Sequence, residues 1–275
     1  MARTSTKAPA AASGKAKPSK DLAPRTGNTS LANIDSQLNS EIDSIKSQIG
    51  GASGNKIRVE PSGDFILPDG MNLGNEIKIV VVDFASKNTL YLTPFNKDNP
   101  TPPDCYAIGK NIAAMAPEDD SPDKQSDNCA GCPMNAFGSG QNGRSKACKN
   151  ARVLAVLLVD DNDPEAHNAP DAPLYTIEVS PTSIKSFDGC VSNIARSLNG
   201  PPIKAVITVV GKNAGTYATL SFIEPEANPD YATHFERRQE TDDVLYRKPD
   251  FAAYEAKANA PARRAPARRQ APARR

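Results

Sequence analysis

Histidine is almost missing from this chain. Its 275 residues include only His167 and His234, each in a polar stretch outside any motif, where an exposed loop position is expected. The commonest general base and metal ligand is therefore scarce, which argues against most hydrolytic chemistry. The acidic clusters Glu118-Asp119-Asp120 and Asp160-Asp161 lie beside Pro and Asn, as ordinary acidic turns do, and are not read as a catalytic carboxylate pair. Long apolar runs are absent too. The longest, Val153 to Val159, falls far short of the ~18 residues of a membrane helix. The first twenty residues lack the apolar core of a secretory signal, so a soluble, intracellular, non-enzymatic protein is expected.

Cysteine is sparse but concentrated. Of five in the chain, Cys105, Cys129, Cys132 and Cys148 fall in a segment rich in Pro, Gly, Asn, Asp and Ser. The Cys129-Ala-Gly-Cys132 knuckle has the two-residue gap that lets two sulfurs converge on one ion. A segment with so little to bury needs another source of order, and structural zinc contributes roughly 10–16 kcal/mol in small finger peptides. Disulfides would need an oxidising compartment. The outer gaps, of 23 and 15 residues, match neither a ferredoxin run nor a standard finger. Zinc is the first expectation and an iron–sulfur cluster the alternative. Four thiolates leave no open position on the metal, so the site reads as structural. Cys190 belongs elsewhere, on a helix face with Ile184, Phe187, Val191, Ile194 and Leu198, as a small buried thiol.

Net charge is +1 overall but unevenly spread: +5 over residues 1–26, +6 over 258–275, and −10 between them. Residues 1–30 and 258–275 are low in complexity and are expected to be disordered basic arms. The second repeats Pro-Ala-Arg-Arg three times and carries Arg263, Arg264, Arg268, Arg269, Arg274 and Arg275. Arginine binds phosphate bidentately, and such arms hold polyanions without reading sequence. Residues 31–257 are read as a single β-rich domain with a metal-binding insertion at 96–150.

Within that domain, Ile34, Leu38, Ile42, Ile45 and Ile49 make one apolar stripe on an otherwise polar helix over 33–49. It is expected to dock on the domain or to pair with a second copy as a homo-oligomer. Strands are expected at Ile57–Val59, Asp64–Leu67, Glu76–Phe84, Thr89–Phe95, Arg152–Val159 and Leu174–Val179. A helix starting from Ser180 and Pro181 and ending at Gly200 follows, then a hairpin of Ile203–Val210 and Thr216–Phe222, and a last helix over Asp242–Lys257. Many strands without a βαβ rhythm point to a mainly β protein with added helices, α+β in class. An oligonucleotide-binding-like barrel, interrupted by the four-cysteine insertion, has this economy.

Gly138-Ser-Gly-Gln-Asn-Gly143-Arg144-Ser145 imitates a phosphate-binding loop with Arg in place of Lys. That loop works only between a buried strand and a helix, and here it sits between expected metal ligands. The same stretch reads better as a basic surface, with Arg144, Lys146, Lys149 and Arg152 clustered in an acidic body. Tyr91 and Phe95, on one face of the expected Thr89–Phe95 strand, are candidates for stacking on unpaired bases.

A β-barrel body interrupted by a thiolate metal loop resembles the single-stranded-DNA-binding proteins of large tailed phages, whose metal subdomain is embedded in an oligonucleotide-binding fold. The run from Asn99 to Cys105, followed by Cys129-Ala-Gly-Cys132-Pro-Met-Asn-Ala-Phe-Gly-Ser139, also resembles uncharacterised phage replication-associated proteins. The resemblance covers roughly residues 34–225. It implies a non-catalytic binder of single-stranded DNA in phage-type replication or recombination, with replication proteins as partners and the host cytoplasm as location. Two features depart from that family, which uses a histidine among its ligands and ends in an acidic tail. The alternative functions are a DNA-condensing or virion-associated packaging protein, and an iron–sulfur protein.

Overall fold

A computed structural model describes residues 55–94, 96, 101–163, 166–169, 171–251 and 254. The chain divides into two units, Met1–Gln48 and Ile49–Arg275, and every described residue belongs to the second. The expected helix over 33–49 and both expected arms lie outside the described residues.

The longest element sets the architecture. Strand β3 (Glu76–Leu90) runs for 15 residues and is lined on one edge by β5 (Lys149–Val159) along nearly all of its length. Its other edge is shared. β7 (Ala205–Asn213) pairs with Glu76–Val80, and β4 (Cys105–Gly109) pairs with Ser86–Leu90. Between these partners a bulge at Val81/Asp83 inserts one residue and bends the strand. The bulge also reverses which side chains face inward. Ile77, Ile79 and Val81 point into the main core before it, whereas Phe84 does so after it and Ala85 joins a different cluster.

The sheet continues on both sides. β6 (Tyr175–Val179) pairs with β5, and β1 (Lys56–Val59) runs parallel to β6 and pairs with the short β2 (Phe65–Ile66). On the other flank β8 (Ala218–Ala227) closes a hairpin with β7. The protein is thus mainly β. Helix α1 (Ile184–Ser197) lies between β6 and β7 in the chain and buries Phe187, Cys190 and Ile194 in the main core, placing Cys190 where the apolar stripe predicted it. Two short helices, α2 (Tyr231–Glu236) and α3 (Thr241–Leu245), follow β8. Leu245, with Val244 and Phe251, covers Ala85, Tyr106, Ile108, Val153 and Ala155 on a second face of the sheet. Among the described residues no helix is long and apolar enough to cross a membrane.

Four expectations are corrected. The separate strands Glu76–Phe84 and Thr89–Phe95 are one strand that ends at Leu90, so Tyr91 lies beyond the sheet and Phe95 outside the described residues. The polar run Ser86-Lys87-Asn88 reads as a break, but each of its residues pairs across to β5, and the buried Asn88 amide accepts from Asn150 at 2.6 Å. The insertion at 96–150 is not wholly irregular, because it contributes β4. Helix α1 begins at Ile184 rather than Pro181, because the Ser183 N–H first closes a turn onto the Ser180 carbonyl. The histidines are not exposed. His167 is 8% and His234 0% accessible, and the His234 ring is held between Asn228 (2.9 Å) and Asn168 (2.7 Å). Burial, and then the neighbouring His167, push the His234 pKa down, which keeps the ring neutral.

Candidate metal centre and its basic surround

All four clustered cysteines line one small cavity of ≈ 20 Å³, together with Asn88, Leu90, Tyr106, Pro117, Met134 and Asn135. A void of that size holds one water-sized occupant. Three pieces of backbone bring the sulfurs there. Cys105 opens β4 opposite Leu90, the last residue of β3. The Cys129 N–H donates to the Met115 carbonyl at 2.9 Å, and Cys132 leads into a tight 3₁₀ turn at Pro133–Asn135. The Cys148 N–H donates to the Met134 carbonyl at 2.9 Å, immediately before β5. Sequence positions up to 43 apart therefore meet at the end of one β-hairpin-like seam.

An amide chain backs the cavity. The Asn135 Nδ2 donates to the Cys129 carbonyl (2.8 Å), and its Oδ1 accepts from Asn150 Nδ2 (3.1 Å) and Lys146 Nζ (3.1 Å). Asn150 also donates to Asn88 Oδ1, and the Asn88 side chain in turn bonds the Cys129 sulfur. Hydrogen bonds of this kind fix the orientation of metal ligands. Burial pushes the Cys129 thiol up, with Cys105 and Cys132 adding to the shift and Asn88 opposing it. The Cys148 thiol is pushed up to about 12 by burial and by its three neighbours, against a small opposing effect of Lys146. Cys129 and Cys148 thus resist becoming thiolates, and a nearby cation would oppose that resistance.

The donor set fits a soft tetrahedral ion: four sulfurs, an apolar wall and no carboxylate on the lining. Among the described residues no group of three or more His, Cys, Asp or Glu side chains is arranged so that it could hold a metal ion. The cysteines ring the cavity as free thiols.

The expected nucleic-acid residues divide. Arg144 and Lys149 are exposed, and the Lys149 ammonium lies 5.8 Å from the Tyr91 ring centroid, with Tyr91 itself 40% accessible. Lys146 is exposed but engaged with Asn135. Arg152 points elsewhere, pairing with Asp188 of α1 at 3.2 Å with its side chain only 11% exposed. Phe95 and the six arginines of the last stretch lie outside the described residues.

The sequence reading missed three members of this surface. Lys87 and Lys56 both reach Glu178, at 3.5 Å and 3.1 Å, across the strands beside Tyr91. Tyr217, in the β7–β8 turn, is 49% accessible and shares a groove with Lys56 and Glu178. Their signal lay in strand order, which one sequence does not display. No family model, curated protein or solved structure matches this chain.

Proposed function

We propose that this protein binds single-stranded nucleic acid without catalysis, on an oligonucleotide-binding-like barrel whose cysteine loop holds a structural zinc. Strand order supports the barrel reading. β3 pairs with β5 and β7, β5 with β6, and β7 with β8, four of the pairings of a five-stranded oligonucleotide-binding barrel, with α1 entering before the fourth strand. β8 remains an edge and β1 takes the far side of β6, so the sheet is curled and open. In that correspondence the cysteine insertion is the loop between strands one and two, and the β7–β8 turn is the loop between four and five. These are the two loops with which such barrels grip oligonucleotides, across the face of strands two and three.

One observation carries the reading: a stripe of cations and exposed aromatics joins those two loops. It runs from Lys149 and Tyr91 through Lys87, Glu178 and Lys56 to Tyr217. Lysines track phosphates and tyrosines stack on bases, which together suit a single strand. The carboxylate between the two lysines, Glu178, is paired from both sides. Burial opposes its ionisation, yet Lys56 and Lys87 hold Glu178 below the usual carboxylate range. A bound zinc would supply structure alone, fixing the loop that presents Lys149 and Arg144.

The test is a titration of the full chain on oligo-dT and on duplex DNA. Single-strand binding is expected to be tighter, and to weaken about tenfold or more in a Tyr91→Ala/Tyr217→Ala variant. Equal affinity for duplex, unaffected by the two tyrosines, would favour the packaging reading. A brown protein absorbing near 400 nm would replace zinc with an iron–sulfur cluster.

A further inference from the structure

We propose that Phe137 is a base-stacking contact, the tip of the cysteine loop that closes on a single-stranded polynucleotide. This rests on the single-strand reading above and names a residue outside the stripe that supports it. Phe137 is 77% accessible, the most exposed large hydrophobic side chain among the described residues. It belongs to none of the buried apolar clusters of the described residues.

The loop under it is tied tightly. The N–H groups of Gly138 and Gly140 both donate to the Ser145 carbonyl, at 3.0 and 2.9 Å. The Ser139 hydroxyl lies 2.7 Å from the Ala136 carbonyl and 2.8 Å from that of Met134, and accepts the Ala147 N–H at 2.9 Å. Gly138, at φ +93, makes the turn that leaves the ring facing outward. An aromatic ring held outward on a braced loop loses little freedom on binding, which is how affinity is gained through pre-organisation.

Charge decides the occupant. Residues 128–159 contain no acidic side chain and four basic ones, inside a body that is net −10. Arg144 and Lys146 stand on the returning limb of the same loop, where Phe137 and Arg144 are separated only by the turn. An exposed aromatic beside cations, with no carboxylate near it in sequence, fits an unpaired base and its phosphate. An apolar protein surface would gain nothing from the cations.

The experiment uses the full chain, oligo-dT and a duplex of the same length over a range of salt. Phe137→Ala should weaken single-strand binding by about five- to 150-fold, the range of one lost base stack, with the salt slope unchanged. Arg144→Ala should instead flatten the slope by about 0.7, one phosphate contact on a single strand. The chain has no tryptophan, so Phe137→Trp is a unique reporter whose fluorescence should be quenched by bound oligo-dT. Since the ring is exposed, none of these variants should lose the fold. If the full chain binds single strands and Phe137→Ala binds equally well, the stacking role is wrong while the single-strand reading stands. If Phe137→Ala changes the sedimentation of the free protein and not its affinity, the ring serves contact between copies and the proposal falls. If the full chain binds no single strand, the underlying reading fails first.

Discussion

Asp83 shows how a single residue is used to hold two parts of the chain together. It occupies the bulge of β3, in the gap that β7 and β4 leave on that edge, and its side chain is 6% exposed. Lys110 (2.7 Å) and Arg238 (3.0 Å) meet it there from the end of β4 and from the segment between α2 and α3. Burial raises the cost of ionising this carboxyl, but the bonds from Lys110, Arg238 and the Phe84 N–H outweigh it and hold the pKa down. A lowered folded-state pKa adds stability that is complete above the unfolded value near pH 4 and is lost as pH falls through the folded one. Asp83→Asn should therefore cost about 1–2 kcal/mol at neutral pH, both cations being partly exposed, and should flatten the acid limb of urea-unfolding stability below pH 4. An unchanged acid limb would show that Asp83 is not the linked group. The cysteines make a second test at this scale. Metal analysis is expected to give about one zinc per chain, lost in Cys132→Ser and retained in Cys190→Ser. Metal-free protein that folds and binds normally would remove the metal from the account.

Strand β8 shows the same economy at the level of an element. It is an edge strand in the described residues, and its outward N–H groups at Leu220 and Phe222 would template other chains if left open. Helix α1 covers them with hydroxyls: Ser183 Oγ accepts from Leu220 at 2.8 Å and Ser186 Oγ from Phe222 at 2.9 Å. Ser183 sits at the N-cap position but makes no cap bond, because its oxygen serves the sheet instead. Ser183→Ala should leave a buried N–H unpaired and cost about 1–3 kcal/mol, measured by urea unfolding, with increased aggregation on partial unfolding. A loss below about 0.5 kcal/mol would mean that the edge is satisfied otherwise. Elements of this kind also mark what a sequence can disclose. The Ile/Val runs of β3, β5 and β7 and the stripe of α1 declared themselves by period, because each buries one continuous face. The polar half of β3 did not, since Ser86 and Asn88 are buried by pairing with β4 on one edge and with β5, 62 or more residues away, on the other, a fact that local pattern cannot contain. The buried histidines failed for the same reason: Asn168 and Asn228, the groups that satisfy His234, arrive from separate loops. The grouping of four cysteines was legible from their clustering in sequence, and the structure brings all four to one cavity. Phe137 was readable in principle, as a lone aromatic at the start of a Gly/Ser/Gln/Asn loop.

At the largest scale, the described residues form a curled, mainly β sheet in an acidic stretch of chain, with basic stretches of sequence at both chain ends. Its turns bring distant strands into contact at few points. At one, Gly63 and Gly211 pack so closely that a Cβ at Gly63 would lie 2.7 Å from the Gly211 carbonyl carbon, which ties the β1–β2 turn to β7. The division of labour between body and arms is the central issue. Six terminal arginines add up to about 0.7–0.9 counterions each to the salt dependence, about 4–5 units of slope in total, and position without specifying. Body and arms are best separated by the binding isotherm of the chain ending at Lys257, on oligo-dT and on duplex DNA, at several salt concentrations. Weaker binding with a slope reduced by about 4–5, and a retained preference for the single strand, is the expected result. Loss of all nucleic-acid binding on removing residues 258–275 would contradict it, leaving the β body, its stripe and its cysteine loop without the role assigned to them.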